Sequence, residues 1–180
     1  CGNNSCYGAI AGGASNVICG PFNIIGGGFG NRTYELYSTV AGGGINHALG
    51  YINTIGGGYA NCITSSSNHA TIAGGRQNLL TGQSSTIGGG LSNTLTGDCA
   101  TIAGGLCNIV NANVGTIGGG VSNNVYCCYG FIGGGTLNVA SGDYSAVVAG
   151  SGNIASGACS FIGGGQNNIS SGARSTIAGG

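Results

Sequence analysis

The chain has 180 residues, 43 of them Gly, and six charged side chains: Arg32, Arg76, Arg174, Glu35, Asp98 and Asp143. A hydrophobic content of 41% excludes a disordered polyelectrolyte, and Gly in doublets and triplets with a single Pro (Pro21) excludes collagen. Zero net charge removes the electrostatic footprint of a nucleic-acid or anionic-membrane binder, and three carboxylates with two His leave little from which to build an enzyme.

No apolar run approaches the ~18 residues of a membrane helix, and the N-terminus does not read as a signal peptide. The chain opens on Cys1 and stops at Gly180 in mid-pattern, so it reads as a segment or processed form of a longer protein. Residues 1–180 are expected to form a single repeat domain.

An aliphatic residue followed by small residues recurs at Ile10, Ile25, Val40, Ile55, Ile72, Ile87, Ile102, Ile117, Ile132, Val147, Ile162 and Ile177. The spacing is 15 residues throughout, except for 17 between Ile55 and Ile72. The two extra residues fall in the polar stretch Ser65 to Asn68, where a loop can bulge without disturbing a core. With the aliphatic residue as position 1, position 2 is Gly or Ala in all copies but Val148, and position 3 is Gly in all but Ala149. Position 4 is always Gly. Position 7 is Asn in all eleven copies that reach it: Asn16, Asn31, Asn46, Asn61, Asn78, Asn93, Asn108, Asn123, Asn138, Asn153 and Asn168. Position 9 is mostly aliphatic, with Thr33 and Ser170 as exceptions; position 11 is often Gly, and position 15 is usually Thr.

A helix cannot carry this pattern, because three consecutive small positions per repeat would cost each helix ~1–3 kcal/mol against Ala. Short extended pieces such as Ser85-Thr86-Ile87-Gly88 and Asn93-Thr94-Leu95, separated by Gly and Asn, predict strands at solenoid spacing. The expected fold is all-β: a parallel β-solenoid, or β-roll, of about twelve rungs, roughly 55 Å long. Positions 1 and 9 then stack as aliphatic core columns. The Asn column forms a side-chain amide ladder and takes the left-handed turn conformation. The Gly column supplies positive φ and close backbone approach, and the Thr hydroxyls of position 15 are placed to join a ladder on the opposite face. Two sizeable apolar side chains per rung make a thin core, which favours burial of the smooth Gly face against another chain.

The unit Ser-[Thr/Phe]-Ile-[Gly/Ala]-Gly-Gly-x-x-Asn-x-Ala-Ser-Gly is clearest at Asn153-Ile154-Ala155-Ser156-Gly157 and Ser160-Phe161-Ile162-Gly163-Gly164-Gly165. It resembles the head repeats of trimeric autotransporter adhesins and their relatives in phage and viral fibres, over nearly the whole chain. The resemblance implies narrow β-rolls packed as a trimer, an extracellular, cell-surface or virion location, and binding through exposed surface with no catalytic residues. Family repeats are typically one residue shorter, carry Ala where this chain has Asn, and rarely hold so many Cys.

Side chains that carry chemistry elsewhere are dispersed here. Asp98 and Asp143 share position 12 but stand three rungs apart, roughly 14 Å, beyond a glycosidase carboxylate pair, and read as isolated turn acids. Glu35 stands near Arg32, where a surface ion pair is worth little. His47 and His69 lack Cys, Asp or Glu at metal-ligand spacing, and the Gly triplets precede neither Gly-Lys-Ser/Thr nor a helix, so neither metal nor cofactor is expected. The nine Cys occupy no single column. Cys99 and Cys159 share position 13 four rungs apart, too far for a disulfide, and only Cys6 and Cys19 lie on adjacent rungs at a spacing suited to pairing. The Cys otherwise read as small apolar substitutes or as cross-links between chains. Sequons occur at Asn3, Asn31 and Asn168, the last two in the ladder column, where their amides would be engaged.

The leading expectation is a non-enzymatic surface fibre or adhesin segment, a stiff rod that spaces or presents a contact surface. Binding would fall to variable outward residues such as Tyr34, Tyr37, Tyr126, Tyr129 and Tyr144, with a cell-surface receptor or glycan, or further copies of the chain, as partners. The alternative is a self-assembling extracellular filament subunit. An ice-binding solenoid ranks lower, because Ala9, Ile24, Phe131, Ala146 and Phe161 interrupt the Thr column; a carbohydrate-active β-helix enzyme ranks lower still for want of carboxylates.

Overall fold

The computed structural model describes residues 7–180, and every strand in it is two residues long. The odd-numbered strands, from β1 (Ala9–Ile10) to β23 (Thr176–Ile177), hold positions 15 and 1 and form one parallel sheet of twelve strands among the described residues. The even-numbered strands, from β2 (Val17–Ile18) to β22 (Ile169–Ser170), hold positions 8 and 9 and form a second parallel sheet of eleven. Register never slips: Ile87 pairs with Ile102, Leu80 with Leu95, and across the longer rung Thr54 still pairs with Thr71. A third line of parallel bridges runs along position 5 from Ala14 to Gln166. This is the parallel β-solenoid that the 15-residue period predicts, because a repeat that returns each residue to the same rung position lets each amide pair with the rung beside it.

The core is single file. Positions 1 and 9 point inward from facing sheets, and Ile25, Ile55, Leu80, Leu95, Ile117 and Ile162 are wholly removed from solvent. Ile10 departs from the expected column: it is 45% exposed, in a rung with a described neighbour on one side only. Ile177 is half-buried for the same reason. Of the two polar exceptions at position 9, Ser170 bonds the Ser175 hydroxyl at 2.6 Å, while the buried Thr33 hydroxyl has no partner.

Two corners close each rung, and their backbone differs from the expectation. The left-handed residues other than Gly are at positions 6 and 13, not at the Asn of position 7. They include β-branched side chains that ordinarily avoid this region, such as Ile45 (φ 56°), Ile52 (φ 54°) and Val114 (φ 58°). Hydrogen bonding shows why the conformation persists. Most backbone N–H groups donate forward to the next rung, as Thr86 does to Ala100 at 3.0 Å, but the left-handed residues donate backward. Ile45 N–H reaches the Phe29 carbonyl at 2.8 Å, and Val114 N–H reaches that of Asp98 at 2.8 Å. Each corner therefore holds its neighbours from both sides.

Two glycine positions are required by space. At position 4 from Gly13 to Gly165, φ runs from 84° at Gly43 to 103° at Gly150, and a Cβ would overlap the carbonyl oxygen of the next rung's Gly. At position 2, Ala and Gly alternate from Ala11 to Gly118, a period of two rungs. A Cβ on Gly26, Gly56, Gly88 or Gly118 would overlap the next rung's carbonyl, so every second rung must omit the methyl that its neighbour carries.

Candidate binding groove

The Asn ladder is the first structural element that constrains where a site can form. Asn93 is representative: its Nδ2 donates to the Gly89 carbonyl of its own rung and the Gly105 carbonyl of the next, both at 3.0 Å. Its Oδ1 accepts the Asn108 N–H at 3.0 Å. The same pattern recurs at Asn31, Asn46, Asn61, Asn78, Asn108, Asn123, Asn138 and Asn153, all buried. Asn16 and Asn168 take part while half-buried. The amide ladder is thus real, mostly through the backbone, and the sequon residues Asn31 and Asn168 have their amides engaged in it. Asn3 lies outside the described residues. The Asn amides of this corner are taken up by internal bonds, while exposed side chains such as Arg76 and Gln77 stand at positions 5 and 6 beside them.

The second corner, positions 10 to 14, carries a ladder that the sequence pattern did not disclose. At position 14, Ser38 N–H donates to Asn23 Oδ1 at 2.7 Å, Asn53 N–H to Ser38 Oγ at 3.1 Å, and Ala70 N–H to Asn53 Oδ1 at 3.0 Å. Asn and Ser alternate with Ala and Gly there, so no single residue type marks the column. The alternation of inward and outward positions could have found it, since position 14 is two residues before the core aliphatic. The longer rung adds Ser65 and Ser66 here, and the Thr64 hydroxyl bonds those of Ser66 and Ser67 at 3.0 and 3.1 Å. Asp98 is less isolated than expected, because its Oδ1 accepts the Gln83 N–H at 2.7 Å. Asp98 and Asp143 remain three rungs apart. The Thr column of position 15 forms no hydroxyl ladder among the described residues; it is an outward row of β-branched side chains.

Beside this corner, on the outer face of the second sheet, the breaks in the repeat converge. Elsewhere position 8 holds an aliphatic residue, Thr or Asn, but three consecutive rungs hold Arg32, His47 and Cys62, partners in register. Position 11 holds Glu35, its one acidic residue. Arg32, Tyr34, Glu35, His47, Leu49 and Ser65 line a groove of about 310 Å³. Arg32 carries its guanidinium carbon over the Tyr34 ring, 5.8 Å from the centroid, and shares the groove lining with Glu35. His47 titrates below its ordinary value, first because it is partly buried and second because Arg32 is beside it. Burial raises the Cys62 thiol. At ordinary pH the groove therefore presents one cation, one carboxylate and a neutral imidazole.

The remaining candidates stay dispersed. His69 is at position 13, edge-on to Tyr51 with ring centroids 6.1 Å apart, and no group of three His, Cys, Asp or Glu among the described residues could hold a metal. Cys99, Cys107, Cys128 and Cys159 are exposed, each in its own rung. Burial raises the Cys127 thiol, aided by Asp143 and Cys128. The suggested Cys6–Cys19 pair lies partly outside the described residues. The outward tyrosines are exposed as expected: Tyr37 stacks on Phe22 at 5.0 Å, and Tyr129 on Tyr144 at 4.6 Å, so these rings pack along the corner. No family model matches the chain, and no curated protein matches it either.

Proposed function

We propose that this chain is a non-enzymatic rod segment of an extracellular surface fibre or adhesin, a stiff spacer that also presents a contact surface. The observation that carries the reading is the division of labour within each rung. Away from the two end rungs, positions 1, 4, 7 and 9 are committed to the interior and the ladders, whereas positions 5, 8, 10 and 13 vary on the outside. Stiffness follows from hydrogen bonds running along the axis through both sheets, the position 5 bridges and the Asn column. The likeness of the repeat to adhesin heads supports the same reading, and with it a homotrimer.

Light scattering on the chromatographed chain tests it. A mass three times the 17.2 kDa of one chain supports the trimeric fibre. A stable monomer overturns the trimer, and open-ended growth with concentration makes the protein a filament subunit instead.

One further observation favours a second reading. Thr39, Thr54, Thr71, Thr86, Thr101 and Thr116 occupy six consecutive rungs of the first sheet in register, flanked at position 2 only by Ala and Gly. That is a flat, regular row of hydroxyl and methyl groups, interrupted only beyond its two ends. Thermal hysteresis in the chain's solution would identify it as an ice-binding face; none, with ordinary crystal growth, leaves it as rod surface.

A further inference from the structure

In a repeat protein the residues that keep the period build the fold, and those that break it without serving the core are free to serve something else. Four breaks meet at one place: Arg32, Glu35, His47 and the Ser65-Ser66 insertion. Two of the six charged side chains and one of the two His in the entire chain line this groove.

We propose that the groove binds a saccharide carrying a carboxylate, a single uronic-acid-type sugar unit. A volume of about 310 Å³ suits one ring. Arg32 is exposed and held over Tyr34, and a guanidinium so placed offers its planar fork to a carboxylate. His47, neutral in the next rung, adds a hydrogen-bonding ring without a second charge. Glu35 accepts sugar hydroxyls, Ser65 exchanges a hydroxyl bond, and Leu49 faces ring C–H groups. Glu35 also repels a bare anion, so a simple carboxylate meets a cost that a sugar's hydroxyls offset. A neutral sugar leaves Arg32 without a partner. The proposal deepens the contact-surface reading and rests on it, but the two fail separately: mass reports on the rod, and ligand titration on the groove.

The experiment follows the imidazole signals of the folded chain by NMR during titration with sodium glucuronate, glucose and sodium acetate. His47 has Arg32 and Cys62 beside it in its column and Tyr34, Glu35, Leu49 and Ser65 around the groove, while His69 at position 13 is an internal control. Glucuronate is expected to shift the His47 signals saturably and to raise its pKa, since the anion offsets Arg32, leaving His69 unmoved. Glucose and acetate should bind at least ~10-fold more weakly, Arg32→Gln should lose at least ~10-fold, and Arg32→Lys should keep part of the affinity. No shift with glucuronate, acetate binding as tightly as glucuronate, glucose doing so, or full affinity in Arg32→Gln each overturns the proposal. Should Arg32→Gln not fold, judged by the His69 signals, the ligand comparison in the native chain still decides.

Discussion

The two corners of each rung solve one problem in opposite ways. Both reverse the chain with a left-handed residue, and both must satisfy the amides beside it. The first corner does so in one way throughout: Gly at position 4 leaves room for the carbonyl that Asn at position 7 binds, so each residue requires the other. The second corner uses two solutions. From Ser38 to Ala100, the position 14 N–H groups of Ser38, Asn53, Ala70 and Ala100 donate to a side chain of the preceding rung. From Gly115 onward they donate within their own turn, as Ser145 does to Gly142 at 3.0 Å. The reason lies in Ala100, Gly115 and Gly130, which offer no side-chain acceptor to the rung that follows. Gly115 and Gly130 are themselves dictated by the core, since a Cβ there would press to within 2.7 and 2.6 Å of Val110 and Val125. Once adopted, the local turn persists through Ser145 and Ser160, whose buried hydroxyls are left without partners. A corner with one solution is invariant; a corner with two accepts substitution, an insertion and a groove.

Substitutions can break this contrast or sharpen it. The largest effect belongs to Gly90→Ala, where φ is 89° and the added methyl meets the Gly105 backbone. A loss of more than about 4 kcal/mol in denaturant unfolding is expected, against about 1 kcal/mol or less for Gly104→Ala, which has open space. Asn93→Ala strips two carbonyls and one N–H of their partner and should cost about 3 kcal/mol. Ser85→Ala in the second corner removes bonds to Gly97 and Ala100 and should cost about 1–2 kcal/mol. Ser145→Ala, the same change at the same position, should lie within about 0.5 kcal/mol of neutral or stabilise, because no bond is lost. Equal effects of the two Ser substitutions would abolish the distinction between the two solutions. The smallest effect is one of pH. Folded His47 holds its proton less well than the unfolded residue, so stability should decline as pH falls below 6.5 and the unfolded chain alone gains the proton. His47→Gln should flatten that slope in denaturation midpoints compared at about pH 7.5 and pH 5.

Much of the fold was legible in the residues. The period, the strand positions, the aliphatic columns, the Asn ladder and the site of the added pair all follow from which residue types recur at which spacing. Legibility failed where the structure depends on backbone rather than side-chain identity. The left-handed positions 6 and 13 carry Ser, Ile, Tyr, Cys and Leu alike, because the backward hydrogen bond, not the side chain, holds them. The position 14 ladder was hidden for the related reason that Asn, Ser and a local turn perform the same task. Of the groove, Tyr34 and the nearness of Arg32 to Glu35 were visible, but His47 and Ser65 are 15 and 33 residues from Arg32.

The sequence by itself determined the solenoid: a strict period with Gly and Asn fixed in register admits no helix and stacks only one way. Only the tertiary structure decided which irregularities meet, because parallel stacking brings every fifteenth residue side by side and turns distant exceptions at positions 8, 10 and 11 into one surface.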